Sequence, residues 1–328
     1  MISQRGVTSW MEDHQAVLYI AAIALGIVVG VATPGTTSLR AAINPILAAL
    51  LYATFLQVPA ADLLRSLHDG RFVAALLAMN FVVTPIVVTA LFVLLPSNDA
   101  LRIGMLLVLL CPCVDYVIVF SGIAGADNQR LLAATPLLLL LQMALLPVFL
   151  TLFMGADLTD VIDVAPFLRA FLVLIVIPLV LAWLTQAWAA RKSAGQQFAS
   201  GAGKLMVPLM MAVLFTVVAS QIPRVTDDLG YVVALIPFYI TFLVVMAGAG
   251  VVFTRVFRLD ISSRRAIVFS GATRNSLVVL PLALALPSGY ELAAVAVVTQ
   301  TLVEVLGMVV YIRVIPRLLP DGAESPPR

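Results

Sequence analysis

Histidine, cysteine and charge are all scarce in this chain of 328 residues, which holds two histidines, two cysteines and 11% charged residues. His14 and His68 lie outside the long apolar runs, which removes the usual side chains for zinc ligation or a hydrolytic triad. Cys111 and Cys113 share one apolar run, so a disulfide framework is not indicated. The net charge of +2 is small and the basic residues are scattered, which argues against a nucleic-acid partner. No soluble-cofactor motif is visible, and the chain does not read as an enzyme. Met1 to Gln15 is polar and lacks the compact basic, apolar and small-residue order of a cleaved signal peptide, so the first apolar run counts as a span.

What is abundant is apolar surface. Hydrophobic residues make up 62% of the chain and the mean hydropathy is +1.11, far too apolar for a soluble protein of this length. The chain is expected to be all-α and integral to a membrane. Apolar runs of about 20 residues, the length that crosses a bilayer, predict ten spans. They lie near 16–33, 42–58, 71–95, 101–124, 130–154, 165–189, 202–221, 230–256, 263–287 and 290–314. The second is short and carries Pro45, which also suits a tilted helix. With both termini cytoplasmic, fourteen of the nineteen Lys and Arg fall on the inner side, four fall outside and Arg274 lies within a span. The expected location is therefore the cell membrane, crossed several times.

Two spans are interrupted at their centres. Gly104 to Asp127 carries Cys111, Pro112, Cys113 and Asp115 mid-run, where a proline frees a carbonyl and a carboxylate costs about 2.5–3.5 kcal/mol. Arg264 to Ser288 holds Gly271, Thr273, Arg274, Asn275 and Ser276 at its own middle, about 160 residues on. Each break is flanked by a long span on either side, over Arg71 to Gly155 and Tyr231 to Ile315. Five spans per half invert the second copy, so the chain divides into a cytoplasmic segment 1–15, a first repeat 16–155, a second repeat 156–318 and a disordered tail 319–328. Two broken helices, one per half, point to a transporter site where they cross.

The residues at these breaks suggest chemistry. A thiol at Cys113 suits soft solutes such as trivalent arsenic, antimony or Cu(I), although cysteine also serves as a small core hydrophobe and Pro112 as a simple kink. Asp115 needs a partner at that depth, and Arg274 is the natural one. The pair serves either as a lock between helices or as a gate. On the last span Gln300, Thr301 and Glu304 share a helical face, with Thr299 beside them. Thr135 and Gln142 form the counterpart in the first half, with no acid. Glu304 is thus a lone carboxylate facing the bundle, able to exchange a proton, to hold Na⁺ or to act as interhelical glue. Asn80 and Thr84 read as packing contacts.

The run from Cys113 to Asp127 resembles the signature of the arsenite-efflux permeases within the bile acid:sodium symporter superfamily, with the cysteine at Cys113 and the closing small-residue and acid element at Gly125 to Asp127. Phe269 to Ser276 resembles the second broken helix of those proteins, with its asparagine at Asn275, and Leu302 to Val305 resembles their leucine-valine-glutamate-valine element. The resemblance implies ten helices in a panel and a core, and arsenite export in exchange for protons. Cys113 would contact the metalloid, Thr273, Asn275 and Ser276 would line the crossing, and Glu304 with Gln300 and Asp115 would serve coupling. The chain departs from that pattern at Asp115, Arg274 and Leu277. The first two changes are opposite in charge, and the third leaves Glu304 as the carboxylate for proton coupling. The competing reading is a Na⁺-coupled importer of an organic anion, in which Arg274 binds the anion and Glu304, Gln300 and Asn275 hold Na⁺. A sensor with a transporter fold and no flux is the third. The expected partners are a small inorganic solute or an organic anion and the lipid bilayer, with proton or Na⁺ as coupling ion and a homodimer as one assembly.

Overall fold

The computed structural model describes residues 10–11, 14–33, 35–56, 70–114, 116–155, 172–225 and 229–321. Its described elements are helical apart from one isolated β-bridge. The chain forms two compact units, Met1–Pro59 with Leu168–Gly230, and Ala60–Phe167 with Tyr231–Arg328. Both units draw on both halves of the sequence.

The first unit contains α1 (Gln15–Ala32), a short 3₁₀ turn (Thr36–Leu39), α2 (Arg40–Leu56), α7 (Ile177–Ala189), α8 (Ser193–Gly203) and α9 (Met206–Val225). Helix α1 packs along α9, where a Cβ on Gly26 would lie 3.0 Å from the Phe215 carbonyl oxygen and 3.0 Å from the Val218 Cβ. Helix α2 packs on α7 and α9. The carbonyls of Phe55 and Leu56 at the end of α2 accept from the Gln186 amide at 3.0 and 3.1 Å, so a side chain closes a helix end that lacks intrahelical donors.

The second unit contains α3 (Gly70–Val93), α4 (Asp99–Leu109), α5 (Tyr116–Ile123), α6 (Asn128–Met154), α10 (Leu229–Val256), α11 (Ile261–Ala272), α12 (Ser276–Leu284) and α13 (Glu291–Leu318). The core of this unit is the packing of α4 and α12 on α13, with Leu106, Val108, Ala293 and Ala296 fully buried. Gly104 permits the approach, because a Cβ there would lie 2.5 Å from the Ala293 carbonyl oxygen. Since backbone must then move, Gly104→Ala is expected to destabilise the protein by about 1–3 kcal/mol, read as a lower thermal midpoint in detergent.

Among the described residues, five helical runs are long and apolar enough to cross a membrane: Gly70–Val93, Leu137–Met154, Ser193–Ser220, Val233–Val256 and Glu291–Leu318. Shorter apolar helices cover Val17–Ala32, Ala41–Leu56 and Ile177–Ala189. Large aliphatic side chains such as Val82, Ile86, Val93, Val233, Val244 and Val252 stand exposed along α3 and α10. Exposure on that scale would promote aggregation in water and is ordinary against lipid. The chain is a multi-pass membrane protein.

The fourth and ninth spans, expected to be interrupted at their centres, are each two helices, α4 with α5 and α11 with α12. Other details depart from the sequence expectations. The predicted seventh span has an extra helix before it, α8. Its Ser193–Gly203 stretch, less apolar than α9, begins the Ser193–Ser220 helical run. Helix α3 contains a π turn at Met79–Val83, and a second π turn at Leu172–Val176 leads into α7. Each π turn ends two residues before a proline, Pro85 or Pro178, whose missing N–H leaves a carbonyl of the preceding turn without its donor. The Thr84 hydroxyl donates to the Met79 carbonyl at 2.9 Å, bridging the widened turn. The part of the predicted sixth span before residue 172 lies outside the described residues. So does the tail beyond Asp321, while Leu319 and Asp321 make defined contacts with Arg265.

Candidate functional site at the helix crossing

The two broken helices meet at their breaks. Helix α4, started by the Asn98 side chain accepting from the Leu101 N–H at 3.1 Å, ends at Leu109 because Pro112 has no N–H with which to continue. Helix α11 ends at Ala272, where Thr273 turns extended. The unwound segments then pair as a single antiparallel bridge between Pro112 and Arg274. The Cys113 N–H donates to the Thr273 carbonyl at 3.1 Å and the Asn275 N–H donates to the Cys111 carbonyl at 2.8 Å. Two backbone breaks that would each be costly in lipid thus satisfy one another.

The bridge geometry dictates what comes next. Pro112 and Arg274 face each other as the pair that does not exchange hydrogen bonds, so their N–H positions point away from the bridge. Pro112 has no N–H to satisfy. The Arg274 N–H is taken by Glu304 on α13, with its two carboxylate oxygens at 3.1 and 2.9 Å. The Gln300 amide, one turn earlier on the same helix, also donates to Glu304. Glu304 is 1% exposed.

The Arg274 side chain is fully buried and reaches the other way. Its guanidinium donates to the carbonyls of Leu109 at 3.2 Å, Ser270 at 2.7 Å and Gly271 at 2.5 Å, and to the Asn80 side-chain oxygen at 3.0 Å. It also lies 5.6 Å from the centre of the Phe242 ring, within range of a cation–π contact. Asn80 is carried by the π turn of α3, and its amide nitrogen donates to the Leu76 carbonyl and to the Ser270 hydroxyl. Asn80 is therefore a member of the site, and the expectation that it is a packing contact is corrected. Its polarity in an apolar run was visible. Its partner was not, because the π turn decides where it points.

The other residues expected at the site fall as follows. Cys111 and Cys113 are buried at the bridge, and neither forms a disulfide. The Thr273 hydroxyl donates back to the Phe269 carbonyl at 2.8 Å, capping α11, and Thr299 and Thr301 donate to carbonyls of their own helix. The Asn275 side-chain oxygen accepts from the Val278 N–H at 3.3 Å, which starts α12. The Asn275 amide nitrogen, the Ser276 hydroxyl and the Gln300 side-chain oxygen are buried with no hydrogen-bond partner among the described residues. Asn275 and Ser276 follow Arg274 in the chain and Gln300 lies one turn before Glu304, and buried polar groups in that state normally mark where a polar solute, ion or water is held. Gln142 on α6, expected from the sequence as the counterpart of Gln300, is 1% exposed, and both polar atoms of its amide have no partner among the described residues. Asp115 lies outside the described residues. Among the described residues no group of three or more His, Cys, Asp or Glu could hold a metal ion.

A second polar cluster closes the outer ends of the same helices. Gly125 turns with φ +69°, and a Cβ there would lie 2.8 Å from the Arg265 guanidinium, which donates to the Ala124 and Gly125 carbonyls at 3.3 Å and to the Leu319 carbonyl at 2.7 Å. Asp127 caps α6 by accepting from the Arg130 N–H at 3.1 Å. Asp260 caps α11 and accepts from Ser262, Ser263 and the Arg130 guanidinium. Burial alone would raise the Asp260 pKa, but these donors and the arginine charge outweigh it and hold the carboxyl below its ordinary value. The Gly125 to Asp127 element thus works as a helix cap and a seat for Arg265.

Comparison with curated proteins gives no match. The model of the SBF-like CPA transporter family matches residues 14–310, a stretch that takes in both broken helices, their crossing and Glu304. A multi-pass membrane chain whose two interrupted helices pair at their breaks, and which matches that model over most of its length, belongs to the SBF-like CPA transporter family.

Proposed function

We propose that this transporter exports trivalent arsenic, as arsenite and also antimonite, by proton antiport, and that its ten helices form two inverted five-helix repeats arranged as a panel and a core in the cell membrane with both termini cytoplasmic. The observation that carries the reading is the Glu304 carboxylate resting on the Arg274 N–H one bridge away from Cys113. Cys113 supplies the soft ligand that trivalent arsenic prefers, and Thr273, Asn275 and Ser276 supply the polar wall for its hydroxyl groups. Asp115 balances the charge of Arg274 or gates the crossing.

Glu304 carries the proton. As a carboxylate it accepts from both Arg274 and Gln300. Protonation turns one of its oxygens into a donor that needs an acceptor of its own and removes the negative charge that strengthens both bonds, so the hold on Arg274 and Gln300 weakens. The Gln300 side-chain oxygen, buried and with no partner among the described residues, is the acceptor at hand once the amide rotates. Proton uptake therefore loosens the tie between α13 and the crossing, and proton release restores it. This couples a titration to the position of the bridge. The reading in which Arg274 binds an organic anion is disfavoured, because its guanidinium is already aimed at three carbonyls and Asn80.

The test is arsenite accumulation in arsenic-sensitive cells expressing wild type or Cys113→Ser at equal levels. Wild type should lower accumulation, and Cys113→Ser should return it to the level of cells with no transporter. Unchanged accumulation with wild type, or full activity of Cys113→Ser, contradicts a thiol-dependent arsenite path.

A further inference from the structure

The charge balance of the crossing assigns a task to Arg274 that is separate from the identity of the solute. Four half-helix ends converge there. The C-terminal ends of α4 and α11 each carry roughly half a negative charge on carbonyls that have no intrahelical donor. In membrane transporters, half-helix C-termini and unwound carbonyls of this kind are where a coupling Na⁺ is coordinated. In this chain the carbonyls concerned are Leu109 at the end of α4 and Ser270 and Gly271 in the last turn of α11, and all three accept from one guanidinium. The Asn80 oxygen completes a ring of four oxygen acceptors, and the Phe242 face lies against the cation.

We infer that the Arg274 guanidinium is a tethered cation that permanently fills the seat a coupling Na⁺ would take at these two helix ends, so that this transporter works without Na⁺. The guanidinium occupies the four oxygen acceptors that would coordinate an ion there, so a second cation at that position meets a like charge and no open seat. An arginine does not deprotonate in proteins, so the charge is not released by a change of pH. The Arg274 backbone N–H is itself bonded to Glu304, so the group does not exchange with solution as a bound ion does. The inference rests on reading the crossing as the transport site and is independent of arsenite.

Thermal unfolding of the purified, detergent-solubilised protein tests it with no transported solute present. Wild type should show the same midpoint in sodium, potassium and choline chloride at equal ionic strength. Arg274→Ala, prepared in millimolar methylguanidinium, should gain a saturable rise of midpoint on the order of 5 °C when that ion is about 100-fold above its Kd, and wild type should gain none. Arg274→Lys, which keeps a cation on the tether, should remain indifferent to sodium. A saturable sodium-specific rise in wild type overturns the proposal. So does an Arg274→Ala protein that folds yet ignores methylguanidinium, or one that does not fold even when made in its presence while Arg274→Lys binds sodium. Because the readout is stability, failure here leaves the arsenite assay standing, and failure of that assay leaves this result standing.

Discussion

Glu304→Gln is expected to abolish proton-coupled transport while the protein remains folded. The substitution keeps the shape of the side chain and one acceptor oxygen for the Arg274 N–H, but it removes the titrating group. It also turns an amide nitrogen toward Gln300, whose amide must rotate to offer its oxygen and so loses the bond it now donates to Glu304, inside a site that is 1% exposed. A lost bond of this kind costs about 1–3 kcal/mol, so the thermal midpoint should fall by a few degrees without loss of the fold. Glu304→Ala should be worse, because the Arg274 N–H at the unwound break then has no acceptor where neither lipid nor its own helix offers one. Flux assays in proteoliposomes with the variants at matched protein content check the first point and unfolding midpoints the second. Wild-type flux by Glu304→Gln, with wild-type pH dependence, would remove Glu304 from the coupling step.

Asn80→Leu carries the second large effect. Asn80 gives the Arg274 guanidinium a side-chain oxygen acceptor and holds Ser270 at the end of α11 through the same amide. Leucine fills a similar volume but leaves the guanidinium one acceptor short at zero exposure. A hydrogen bond to a charged group is worth about 1.5–3 kcal/mol, and the loss should appear as a lower unfolding midpoint together with reduced transport. Asn80→Asp keeps the oxygen facing Arg274 and adds an opposite charge, so it should be the milder of the two. Equal stability of Asn80→Leu and wild type would mean that Asn80 is not needed to hold Arg274.

The sequence was most informative where one physical constraint dominates. Apolar run length marked the membrane helices, since nothing else explains runs of that composition. Pro112 marked the first break, since its missing N–H acts whatever surrounds it. The offset of about 160 residues between the polar centres paired Cys113 with Arg274, and the bridge joins Pro112 to Arg274, one residue away. Glu304 was legible as a buried acid with Gln300 one turn before it. What stayed hidden depends on where backbone carbonyls point. The π turns of α3 and before α7 follow from prolines placed two residues later, but composition does not reveal whether a helix widens or kinks at such a proline. Asn80 therefore looked like packing until the π turn aimed it at Ser270 and Arg274. Gly125 to Asp127 stood out only as the closing element of the resembled signature, and its physical work, a glycine that seats Arg265 and an acid that caps a helix, was not legible. The direction of the Arg274 side chain was equally hidden, because charge alone does not reveal that the guanidinium serves carbonyls at two helix ends.

The most direct measurement is proton movement driven by an arsenite gradient in proteoliposomes carrying an internal pH indicator, in choline medium with no added sodium. Arsenite leaving down its gradient should draw protons the opposite way. That signal should be unchanged when sodium replaces choline and absent with Glu304→Gln. Arsenite flux with no proton movement, or proton movement that appears only with sodium, would contradict coupling through Glu304 at a crossing whose cation is Arg274.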